Sequence, residues 1–341
     1  MGENAREIMR FGGSVSAVVR SKESRLLGIL ILLAAIGGLY RPQLLSAGSI
    51  NSVLLWVPIL LVAACGQAVV VVQGGIDVSV GSALGLSAIC MGVLFRSYPG
   101  MSVFLGAALC VAVGAILGLV NGIAVGRFRV PAIVVTLGTL SVFRGLCFVI
   151  SKGEQVDANH LPQELTQLSL SGPVQIAGVN LSWLLIISLL VCSFGFLLVH
   201  RTAFGLKLFA VGGNSEAARV RTLPVGRTVC AAFVLCGATA GFAGFLYAAR
   251  YGFVNPSSAG YGFELTVIAA VVLGGCSVRG GSGSISGVLI GCIFLGLVNT
   301  GLAVLQIEAN YQLLAYGGVI LFGLLVDKLL SQERKMVGAT P

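Results

Sequence analysis

The chain has 341 residues, of which 57% are apolar and only 10% charged, with a formal net charge of +9. An ordinary soluble domain carries about 25% charged residues, so this composition excludes a soluble globular protein and points to a bilayer. The positive balance does not mark a nucleic-acid binder, because the basic residues lie between apolar runs instead of in one patch.

About 20 apolar residues cover the roughly 30 Å of hydrocarbon in a membrane. Reading apolar runs between breakers predicts ten segments, at about 26–40, 53–73, 78–95, 101–125, 130–150, 182–200, 229–250, 263–275, 285–305 and 310–327. The expected fold class is an all-α polytopic membrane protein with about ten transmembrane helices. Its predicted parts are an N-terminal segment 1–25, a membrane domain 26–327 with a polar loop 201–228, and a tail 328–341. The charged region before the first run is too long for a cleavable leader, and no small-residue cleavage site follows that run.

The second segment carries Gln67 and Gln73 and runs through QGGIDVSVGS, residues 73–82, into the third. Asp77 is the only charge between Val53 and Phe95. Gly74-Gly75 frees the backbone to end one helix, and Asp77 or Ser79 can accept hydrogen bonds from the free N–H groups that start the next. A cap at the inner membrane face explains the carboxylate structurally. The other reading has it line a path through the bundle, because an ionisable group at membrane depth is a candidate functional residue.

Asn121 lies in the fourth segment, and Thr136, Thr139, Ser141 and Arg144 in the fifth. Arg144 comes some 14 residues into its segment, and its side chain is expected either to snorkel outward or to pair with Glu264 at the outer start of the eighth. The polar stretch 151–181 has no cysteine, and the nine cysteines elsewhere stand in apolar context without a CxxC pair, so no disulfide framework is read. From His200 to Thr228, a turn signal at Gly212-Gly213-Asn214 precedes a helix-prone segment, Ser215 to Val220, among basic residues; that pattern suits a docking surface.

After the eighth segment, VVLGGCSVRGGS (271–282) echoes VVQGGIDVSVGS (71–82), agreeing at seven of twelve positions. Shared turn chemistry and a duplicated unit both account for it. Asn299 adds one more polar group, in the ninth segment.

With the N-terminus inside, the inner loops hold 16 Lys or Arg and the outer ones four (Arg41, Arg96, Lys152, Arg250), as the positive-inside rule requires. Both termini and the 201–228 loop are therefore expected in the cytoplasm. No GxxxxGK[ST] phosphate loop, no Ser/His/Asp set of usable spacing and no His/Cys/acid cluster occurs, so neither catalytic residues nor a metal site are expected.

Four stretches in order resemble one family: QGGIDVSVGS (73–82), VPAIVVTLGTLSVFRG (130–145), TAFGLKLFAVGGNSEAAR (202–219) and GFELTVIAAVVLGGCSVRGGSGSISG (262–287). They are similar to the permease subunits of bacterial carbohydrate ABC importers of the ribose type. PAIVVTLGTL and LPQELTQLS (161–169) look like the subgroup that imports autoinducer-2. The resemblance implies a type II ABC-importer-like bundle in the inner membrane, and a sugar or sugar-like substrate such as ribose or another pentose, rhamnose or autoinducer-2. It also implies a second permease, identical or paralogous, a periplasmic sugar-binding protein, and a cytoplasmic tandem ATPase that carries the ATP and Mg.

On the same basis Gly213, Asn214, Glu216, Ala217 and Ala218 belong to the segment that couples to the ATPase. Candidates for the pathway are Gln67, Gln73, Asp77, Asn121, Thr136, Thr139, Arg144, Glu264 and Asn299. Thr266 stands where many relatives have an acid, and Arg221-Thr222-Leu223 where they have a Ser-Gly-Ile-like stretch. The rival readings are a branched-chain amino-acid ABC permease and an ion-coupled secondary transporter.

Overall fold

A computed structural model describes residues 22–307 together with 311, 314, 317, 318 and 321. Twelve α-helices occur among the described residues: α1 (Lys22–Tyr40), α2 (Ala47–Val72), α3 (Val80–Ser97), α4 (Val103–Gly126), α5 (Ala132–Ser151), α6 (Gln163–Leu170), α7 (Trp183–Arg201), α8 (Ala203–Gly213), α9 (Ser215–Val220), α10 (Val225–Tyr251), α11 (Phe263–Leu273) and α12 (Ile285–Val304). Seven of them are long and apolar enough to cross a membrane. The fold is an all-α polytopic bundle, as expected. The predicted tenth span, both chain termini and the tail lie largely or wholly outside the described residues.

Helix α2 is the axis. Its most apolar stretch is 89% buried, against 17% for α5, and it packs against α10, α12, α7, α11 and the 3-10 turn at Pro42–Leu45. Ser46 starts it by accepting a hydrogen bond from Ser49 N. The helix therefore begins six residues before the predicted 53, because the cap and not the first apolar residue sets the start.

Helices α4 and α10 pair through a glycine seam. Gly114, Gly118, Gly122 and Gly126 recur every four residues on one face of α4, opposite Gly241, Gly237, Cys230 and Gly226 of an antiparallel α10. A Cβ at Gly114 would collide with Gly237 O, one at Gly118 with Phe233 O, and one at Gly122 would come 2.8 Å from Cys230 O. Lipid tails are as apolar as leucine, so helices in a membrane associate through van der Waals contact and benefit from small residues that bring backbones together.

The connections gather at two ends. Gly126 meets Gly226, and Val72 O accepts from Gly281 N at 2.8 Å, at one end. At the other, Arg96 pairs with Glu154, Asn51 accepts from Asn180 N, and Val156 bridges Val254. This is the alternation predicted from the apolar runs.

Several expectations change. The eighth segment is an 11-residue helix, α11, roughly 16 Å long, which is about half a crossing. The chain reaches its start through 252–262, a stretch that runs back into the bundle: Val254 pairs with Val156 beside Gly92, Ala259 O lies against Gly85, and Gly260 O against Gly81. The polar stretch 151–181 is structured, holding α6 and a two-stranded hairpin, β1 (Val174–Ile176) with β2 (Val179–Leu181). Within 201–228, residues 203–213 form a helix instead of loop, and Gly212-Gly213 close that helix where a turn was read. The helix-prone segment Ser215 to Val220 is α9.

Candidate translocation and coupling sites

Helix α2 stops because Gly74 enters the left-handed region (φ +92°), where glycine bears no Cβ penalty. Gly74 N then donates to Val71 O and Gly75 N to Val70 O, each at 2.9 Å, which satisfies carbonyls of the last turn. The following residues turn back along α2. The Gln67 amide, oriented by its partners, accepts from Asp77 N and donates to Asp77 O, both at 3.2 Å. Asp77 is thus level with a residue five positions before the helix end, inside the bundle and deeper than the inner-face position expected of the cap.

Its side chain is held as firmly. Asp77 Oδ1 accepts from Ser79 N at 2.8 Å and from Ser79 Oγ at 2.6 Å, an Asx cap on the start of α3. Asn121 Nδ2, from α4, donates to Ser79 Oγ at 2.9 Å and lies 3.5 Å from Asp77 Oδ2. Thr136 of α5 donates to Ala132 O at 2.9 Å, with Ile76 O 3.4 Å away. Gln67, Asp77, Ser79, Asn121 and Thr136 are all buried. Four predicted pathway residues therefore converge on one enclosed network that ties four helices together. Asn121 Oδ1 has no partner there.

The remaining candidates are dispersed. Gln73 is buried at the end of α2, Thr139 donates to Thr136 O at 3.4 Å, and Asn299 is half-buried on α12. Arg144 and Glu264 do not form the expected ion pair. Arg144 Nη1 donates instead to Ala259 O at 2.7 Å and lies 3.4 Å from Pro256 O, with its guanidinium 5.9 Å from the Tyr261 ring. The pairing fails because the returning stretch 252–262 puts its carbonyls nearer to the guanidinium, while Glu264 Oε2 lies against Gly81. No sequence signal could have found this contact, since any residue supplies a carbonyl.

The coupling candidates sit at the end of the bundle that holds Gly126 and Gly281. Thr202 caps α8, accepting from Gly205 N at 3.3 Å. Asn214 ends α8 and caps α9, its Oδ1 accepting from Ala217 N at 2.9 Å. Gly213, Asn214, Glu216 and Ala217 are exposed, with Glu216 paired to Arg219 at 2.8 Å. Ala218 is buried, so it seats α9 on the bundle and is not presented outward. Val220, 84% exposed, adds an apolar group to the outward surface that the basic character of the loop concealed.

Residues 49–324 match the family model described as the permease component of the branched-chain amino acid transport system. Among similar proteins, an L-arabinose ABC transporter permease of Azospirillum brasilense is 36% identical over 90% of this chain and 88% of its own length. The autoinducer 2 import system permease of Enterobacter sp. is 36% identical over 91% and 88%, and that of Klebsiella pneumoniae is 40% identical over 80% and 77%. This chain belongs to that permease family. As a family member it is a permease component, a transport subunit. No solved structure matches the chain significantly.

Proposed function

We propose that the chain is the membrane-spanning permease subunit of an ATP-driven importer for a sugar or sugar-like solute. The candidate substrates are arabinose, ribose or another pentose, rhamnose and autoinducer-2. The observation that carries this reading is the similarity at 35–40% identity, over most of the chain, to permeases named for arabinose and autoinducer 2. The family description, in contrast, names branched-chain amino acids, and that is the second reading.

The energy for transport comes from another chain. ATP and Mg belong to a separate cytoplasmic ATPase, which docks on the exposed surface Gly213, Asn214, Glu216, Ala217 and Val220. A periplasmic binding protein delivers substrate at the end formed by 151–181, and a second permease, identical or paralogous, completes the conduit. The excess of Lys and Arg at the α8–α9 end orients that end to the cytoplasm of a bacterial inner membrane.

The test is uptake by proteoliposomes carrying the permease, its ATPase and its binding protein. ATP-dependent accumulation of a labelled pentose or autoinducer-2, not reduced by leucine, is expected. Competition by leucine and not by the sugars would transfer the assignment to the amino-acid reading, and uptake abolished by an uncoupler with ATP held constant would assign an ion-coupled carrier.

A further inference from the structure

Three turns rich in glycine meet at the inner end of α2, and no side chain separates them. A Cβ on Gly212, in the last turn of α8, would collide with Val72 O and come 2.6 Å from Gly281 N and 3.0 Å from the Gln73 Cα. One on Gly280 would come 2.8 Å from Gly212 O and 2.9 Å from both N and Cα of Gly74. One on Gly281 would come 2.8 Å from the Gly213 Cα. Gly74, Gly280 and Gly281 all have positive φ (+92°, +83° and +74°), so backbone shape favours glycine at all three, and spacing demands it at Gly280 and Gly281 as well. Gly281 N donates to Val72 O at 2.8 Å, which fastens the α11–α12 turn to the end of α2.

These contacts connect the outward-facing α9 to the buried network in few steps. Asn214 is the shared cap of α8 and α9, so a displacement of α9 is delivered to the last turn of α8. That turn rests by backbone on both the 72–74 turn and the 279–281 turn. Residues 74–79 continue directly to Asp77, which is tied to Gln67 and Asn121. Backbone packed on backbone is less compliant than side chains that can change rotamer, and packed interfaces of this kind shift between discrete arrangements.

We infer that Gly212, with Gly74, Gly280 and Gly281, forms a transmission joint that carries movement of the ATPase-docked segment to both helix breaks. The inference rests on the proposed docking at α8–α9. Gly212 is a positioning residue that touches neither nucleotide nor solute. Packing alone would make these glycines matter for stability only, whereas a joint makes one of them matter for coupling in a complex that is otherwise intact.

The experiment uses the full chain with its ATPase and binding protein in proteoliposomes, comparing wild type, Gly212→Ala and Gly28→Ala, the last at a position with open space around it. Co-purified ATPase, ATP hydrolysis and solute uptake are measured. The reactivity of the native Cys276, buried within the α11–α12 break, toward a small maleimide is read by peptide mass spectrometry with and without vanadate-trapped nucleotide. Gly212→Ala is expected to assemble and hydrolyse ATP, to import about tenfold less, and to lose the nucleotide dependence of Cys276 labelling; Gly28→Ala is expected to match wild type.

Unchanged uptake and labelling in Gly212→Ala would overturn the joint, as would loss of uptake in proportion to loss of assembled complex. Should Gly212→Ala not accumulate at all, the wild-type labelling decides. A Cys276 rate indifferent to trapped nucleotide overturns the inference, and one that changes sustains it. Failure of the docking reading shows separately, as a wild-type chain that does not retain the ATPase.

Discussion

Asp77 stands out at the scale of the residue because so many partners use it. Its backbone N–H and C=O are occupied by Gln67, and one carboxylate oxygen serves Ser79 twice. Burying a polar group is costly unless it is hydrogen-bonded, and removing one partner leaves the others unpaired at a cost of about 1–3 kcal/mol. Asp77→Ala is therefore expected to lower stability by that amount and to uncap α3. Asp77→Asn keeps an oxygen that can accept from Ser79 and should lose less than half as much. Thermal unfolding of both variants in detergent measures the difference, and equal losses would show that the charge and not the cap is what matters. That a carboxylate with Ser79 two positions on would cap a helix was legible, because the Asx pattern is local. The Gln67 contact was not, since it depends on the chain turning back along α2.

At the scale of the element, the helices follow their apolar runs closely, and the departures have identifiable causes. Helix α11 is short because residues 252–262 use the depth that its outer half would have occupied, and Arg144 fixes that stretch by its carbonyls. The sequence echo corresponds to a structural one. Gly74 and Gly275 both end a helix at positive φ, donating to Val71 O and Val272 O, and Ser277 caps Arg279 N as Asp77 caps Ser79 N. The helix ends are offset by one position from the sequence alignment, in which Gly74 faces Gly274, whereas the capping pairs 77/79 and 277/279 keep its register. The α4–α10 seam gives a prediction of its own. Gly118→Leu puts a side chain where Phe233 O already sits; overpacking of that kind costs about 1–3 kcal/mol, and reduced membrane abundance with a lower unfolding temperature is expected. Gly138→Leu, at a site with no neighbour within 4 Å, should leave both unchanged, and equal effects of the two would argue against the seam.

At the scale of the whole molecule, the proposed function gives the two ends of the bundle different tasks, and their sidedness is open to a direct test. A cysteine placed at the exposed Glu216, in a chain whose nine native cysteines are replaced, is expected to react with an impermeant maleimide only in inside-out vesicles. A cysteine placed at the exposed Gln175 of β1 should react only in intact cells or spheroplasts. The reverse pattern would invert the bundle and remove α9 from the reach of a cytoplasmic ATPase.

By itself the sequence determined membrane residence, the place and order of the seven long spans, the charge asymmetry and the local caps. All of these depend on composition or on residues within a few positions of one another, where the cost of exposing polar groups to lipid leaves little choice. Only the tertiary structure decided that Asp77 lies deep beside Gln67, that Arg144 grips carbonyls and not Glu264, and that three glycine turns meet at the end of α2. Those outcomes depend on how far a chain doubles back and on which backbones approach closely, and glycine or a carbonyl gives no signal of its partner until distant helices are packed together.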